Sequence, residues 1–104
     1  MIHEIKGRHE PSIYTITTIR EDNLRRRTPG YFRTFDDARY TVVHNDCDIS
    51  EDGYYKYAVI EKVCDGLYTV PRDEWWFVWS PEKEQYMLTE KPEKFKRVCA
   101  FGIG

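Results

Sequence analysis

The chain has 104 residues, 40% of them hydrophobic and 33% charged, a composition that fits a globular domain with one core and excludes a disordered chain. A formal charge of −2 gives no general attraction to nucleic acid or anionic lipid, and no stretch approaches the roughly 20 apolar residues of a membrane span. Three cysteines, Cys47, Cys64 and Cys99, share no close spacing, which argues against a secreted disulfide framework.

The expectation is therefore a single domain over residues 1–104, kept in the cytoplasm, because the first residues hold no apolar core of signal-peptide length. Residues 1–10 read as a loosely held arm. Ser12-Ile13-Tyr14-Thr15-Ile16-Thr17-Thr18-Ile19 is rich in β-branched residues and reads as the first strand. Residues 21–29 read as a charged loop containing Arg25-Arg26-Arg27 and closed by the turn chemistry of Thr28-Pro29-Gly30. Tyr31 and Phe32 leave room only for a short strand or an extended entry to a helix.

Thr34-Phe35-Asp36-Asp37 carries helix-start signals: a capping hydroxyl, then two acids on the first turn. Phe35, Ala38 and Val42 form one stripe of a helix running to about His44, with Asn45 suited to a left-handed cap. Residues 53–63 form the central strand, apolar at both alternations as in a strand covered on two faces, and end in the Cys64-Asp65-Gly66 turn. Trp75-Trp76-Phe77-Val78-Trp79 reads as a strand, Ser80-Pro81-Glu82-Lys83-Glu84 as a hairpin loop, and Gln85-Tyr86-Met87-Leu88-Thr89 as its return, stopped by Pro92. Residues 95–101 are expected to make a last strand, holding Cys99 as a small core residue, before a flexible Gly102-Ile103-Gly104 end. The fold class that follows is α+β: an antiparallel sheet of four to five strands with one helix packed on one face.

The segments Gly30-Tyr31-Phe32, Thr34-Phe35-Asp36-Asp37-Ala38, Tyr57-Ala58-Val59-Ile60-Glu61, Gly66-Leu67-Tyr68, Trp76-Phe77-Val78-Trp79, Lys91-Pro92 and Phe101-Gly102-Ile103-Gly104 form a pattern over residues 30–104. Together they resemble a family of small proteins carried by phages, mobile elements and bacterial genomes. The resemblance implies a setting, action on a host protein, and carries over no activity, cofactor or site residue.

No defensible reaction centre emerges from spacing. Asp46, Asp48 and Ser50 match positions 1, 3 and 5 of a calcium loop, but the Gly and Glu required at positions 6 and 12 are Glu51 and Tyr57. His44 and Cys47 have H-x-x-C spacing without a second ligand pair for zinc, and as a nucleophilic dyad they lack an orienting group and an oxyanion site. No phosphate-cradling Gly-rich loop or nucleophile elbow is present. No catalytic residue, metal ligand or cofactor is assigned.

The aromatic share, 15% with eight Tyr and three Trp, is the compositional anomaly. In the Trp75 to Trp79 run, Trp75, Phe77 and Trp79 share one side and Trp76 and Val78 the other, so one helix cannot hide every ring. The surplus rings either fill a second small core or form an exposed surface. The second option nominates Trp76 and Trp79 with Tyr54, Tyr55, Tyr57 and Tyr86. Arg25, Arg26 and Arg27, with Arg20 and Arg33, add a basic stretch, set against acidic Asp46, Asp48, Glu51 and Asp52. The leading expectation is a non-enzymatic protein that occupies a partner protein's surface, with a homodimer through an exposed sheet edge as one form of it. A nucleotide or small-molecule pocket built from aromatics and Arg is the alternative. Single-stranded nucleic acid comes third, and no membrane partner is expected.

Overall fold

The computed structural model describes residues 12–22, 25–64, 73–98 and 100–102. The arm over residues 1–10, most of the Cys64-Asp65-Gly66 turn, Gly66-Leu67-Tyr68, Cys99, Ile103 and Gly104 lie outside the described residues. Runs of β-branched and aromatic residues take extended backbone as Ser12–Ile19 (β1), Arg26–Phe32 (β2), Tyr57–Cys64 (β3), Asp73–Ser80 (β4) and Gln85–Thr89 (β5), and Phe35–Val43 is the helix α1. The strands form one antiparallel sheet in the order β2-β1-β3-β4-β5, with α1 across one face: the α+β arrangement expected.

The helix forms where its signals stand. Thr34 Oγ1 accepts the Asp37 N–H at 3.2 Å, and Asn45 turns the chain out of the helix at φ 51°. Ala38 and Val42 are fully buried against Ile16, Ala58, Ile60, Phe77 and Tyr86, the core of the front face.

Four expectations need correction. The Arg25-Arg26-Arg27 run is not wholly loop: the β1–β2 hairpin closes early, with the Arg20 N–H bonded to the Arg25 carbonyl at 2.8 Å, so Arg26 and Arg27 enter β2. Pro29 is accommodated because β2 is an edge strand, and the register slips by one residue between Ile16 and Thr18. The central strand begins at Tyr57 rather than Gly53, because Glu51, Asp52 and Gly53 take φ of 51°, 60° and 87° and coil the chain through Tyr54 and Tyr55.

Residues 95–101 form no strand among the described residues. Phe95 closes a 3-10 turn, Glu93–Phe95, and Phe95 and Phe101 pack on the back of the sheet. Gly102 is not a free end: its N–H donates to the Glu61 carboxylate at 2.9 Å, and a Cβ there would come within 2.8 Å of Thr15 Oγ1.

The back face carries a second core of Ile19, Val59, Trp76, Phe95 and Phe101. Trp76 stacks on Phe95 with ring centroids 5.3 Å apart and meets Phe101 edge-on. Glu61, 1% exposed, holds this segment down: its carboxylate accepts the Phe101 N–H at 3.0 Å as well as that of Gly102. Desolvation holds the Glu61 carboxyl above its ordinary value, opposed by those backbone hydrogen bonds.

Candidate functional site

The fold separates the aromatic and Arg residues nominated from the sequence. Trp76 is 3% exposed in the back core, its indole N–H donating to Glu74 Oε1 at 2.7 Å. Tyr57 lies half-buried on the same face, edge-on to Phe95. Tyr86 is fully buried on the front face with its hydroxyl donating to the Tyr55 carbonyl at 2.7 Å, and burial raises that phenol's pKa. Tyr55 is buried too, so Trp76, Tyr55 and Tyr86 are structural and present no surface to a partner. Arg25, Arg26 and Arg27 are exposed but diverge: Arg26 lies over the Phe101 ring on the back, while Arg27 forms an ion pair with Glu51.

Of that set, Tyr54 and Trp79 share a groove, one of about 430 Å³ completed by Arg20, Lys56, Glu21, Asp22, Gly53 and Pro81. Arg20 stacks over the Tyr54 ring at 4.0 Å. This is the nearest thing to an aromatic and Arg pocket for a nucleotide. Its cations are already matched, however, since Arg20 donates twice to Asp22, at 2.9 and 2.5 Å, and Lys56 reaches Glu21 at 3.0 Å. An incoming phosphate would have to displace both carboxylates or accept their repulsion.

A second groove, of about 420 Å³, opens on the front face between α1 and β5. Phe35 and Trp75 form its wall with ring centroids 4.4 Å apart, and Val43, Phe77 and Leu88 add aliphatic and aromatic surface. Leu88 is 72% exposed, the most exposed large apolar side chain among the described residues. Arg39 stands at the rim. The groove runs along one flank of α1: Phe35, Arg39 and Val43, four residues apart, form that side, with Trp75 towards one end and Gln85 and Tyr86 towards the other. α1 therefore leaves the β5 side of the front face only partly covered.

Sequence reasoning did not nominate Leu88, Arg39, Phe35 or Trp75 for this site. The usable signals were the i, i+4 spacing of Phe35, Arg39 and Val43 on one flank of α1 and the alternation that places Tyr86 and Leu88 on one face of β5.

The remaining candidates have structural occupations. Asp48 accepts from Asn45 Nδ2, Ser50 Oγ and the Asp52 N–H, and these bonds hold its pKa below the ordinary value, the Asp52 N–H foremost. It organises the loop that resembled a calcium site. His44 Nδ1 donates to the Tyr40 carbonyl at 2.9 Å and its ring stacks on Tyr40, while Cys47 is an exposed free thiol. Among the described residues no group of three His, Cys, Asp or Glu side chains is placed to hold a metal ion. None of the described helices is long and apolar enough to cross a membrane.

No family model, curated protein or solved structure matches the chain. Geometry alone defines an α+β domain with a second core on its back face and an open groove on its front face beside β5.

Proposed function

We propose that the chain is a small non-enzymatic interaction protein that acts by occupying the surface of another protein chain, and that the groove between α1 and β5 makes the contact. The observation that carries this reading is Leu88, an aliphatic side chain 72% exposed at the edge of a groove walled by Phe35 and Trp75. A single exposed leucine is ordinary, but one continuous with a half-buried aromatic wall is what a docking surface offers. The pocket at Arg20 and Tyr54 ranks second because its charges are mutually satisfied. The setting implied by the family resemblance, a mobile-element protein in the bacterial cytoplasm acting on a host protein, belongs to the same proposal.

A photo-crosslinking amino acid placed at position 88, with position 40 as an exposed control, tests the reading in living cells. The expected result is a discrete protein adduct from position 88 and none of comparable yield from position 40. Equal labelling at both, or multiple-turnover chemistry lost on changing His44 or Cys47, would sink it.

A further inference from the structure

Two unneutralised charges of opposite sign stand near the apolar anchor: Arg39 in the groove lining and Glu90 in the chain just beyond β5. Arg39, exposed at the rim, makes no ion pair with a described residue, although Asp36 stands three positions earlier on α1, where helical spacing favours one. Arg20, Arg27, Lys56, Lys91 and Lys96, by contrast, each hold a carboxylate. Glu90, exposed and two residues beyond Leu88, likewise makes no ion pair with a described residue. The groove and the chain just beyond β5 together offer an apolar side chain, an apolar wall, a cation and an anion.

A patch with both halves of each interaction is complementary to itself, which is what a two-fold interface requires: residue i of one copy meets residue j of the other, and j meets i. Resting on the reading of the groove as a protein contact, we propose that its occupant is a second copy of this chain. Leu88 of each copy packs against Trp75 and Phe35 of the other, and Glu90 of each meets Arg39 of the other. The contact is made by side chains over the front face, not by strand pairing. The Trp79 N–H is bonded to the Lys56 carbonyl at 2.7 Å, so alternation through the β4–β5 register turns the backbone groups of Tyr86 and Leu88 to the open side of β5. Tyr86 is nonetheless fully covered, which blocks an added strand at that point.

Sedimentation velocity over a concentration series, on wild type, Arg39→Glu, Glu90→Arg and the double variant, tests the pairing. Wild type should dimerise, each single change should weaken dimerisation at least about tenfold, and the double variant, which restores opposite charges across the interface, should recover most of the loss. Both sites are exposed, and unchanged tryptophan fluorescence verifies that the variants fold. A wild type that stays monomeric to several hundred micromolar, or a double variant no better than the worse single one, overturns the proposal. Capture of a different protein by the crosslinker at position 88 would then leave the docking reading standing with another occupant, whereas no capture at all would remove both.

Discussion

Trp75 and Trp76 are neighbours in sequence and opposites in circumstance. Trp76 points to the back of the sheet, where Phe95 and Phe101 close over it and Glu61 clasps the backbone that carries Phe101. Trp75 points to the front, where it packs on Phe35 of α1 and lies half-buried in an open groove. The two faces have thus been finished differently: one is packed by Phe95 and Phe101, the other keeps an open groove beside β5. Composition alone does not distinguish these rings, because both are tryptophans on one strand.

The contrast predicts that changes on the back face are read in stability and changes on the front face in association. The largest stability effect should come from Trp76→Ala, which empties the centre of the back core and should cost about 3–5 kcal/mol in urea denaturation. A loss below about 1 kcal/mol would mean that the strap over the back face is not closed.

Glu61 sharpens the same point through pH. Burial raises its folded-state pKa, so the folded chain binds that proton more tightly than the unfolded chain. Its contribution is fully present below the ordinary carboxylate value and is lost as pH rises through the raised one. Wild type should therefore lose stability relative to Glu61→Gln as pH rises from about 4 through the weakly acidic range, then level off. Urea midpoints taken across that range check the sign, and an opposite slope would show that the backbone hydrogen bonds outweigh burial.

Trp75→Ala should be milder for the fold, about 1–2 kcal/mol, because part of the ring is already in water. Its larger effect should be on dimerisation, read by sedimentation. Leu88→Ser should move stability least, by under about 0.5 kcal/mol, while still abolishing association. If it destabilises the monomer instead, the groove is closed in solution and the comparison of faces fails.

Much of the fold was legible because its signals are local. The Thr34 cap, the left-handed Asn45, the alternation of Trp75 and Trp76 and the hairpin after Ser80 each depend on residues close in sequence. The misread parts depend on distant partners. Residues 95–101 looked like a strand because nothing nearby shows that Phe95 and Phe101 must both reach Trp76, or that Glu61, some 40 positions earlier, would take the backbone donors of Phe101 and Gly102. Arg26 and Arg27 looked like loop because Pro29 is a poor strand residue unless the strand is known to lie at an edge.

The nominated site failed for a related reason. Tyr55, Tyr86 and Trp76 have the chemistry of an interface, and only tertiary packing shows that it is spent internally. Leu88 gave no compositional signal, and its meaning depends on which flank of α1 lies beside it.

Fluorine NMR of the protein labelled with 5-fluorotryptophan tests the central contrast most directly, with three resonances for Trp75, Trp76 and Trp79. Spectra in water and heavy water, below and above the dimerisation range, report which rings touch solvent. The account predicts a solvent isotope shift for Trp75 that disappears on association, and none for Trp76 at any concentration. A Trp76 resonance that senses solvent, or a Trp75 resonance that senses it unchanged up to millimolar protein, would contradict it.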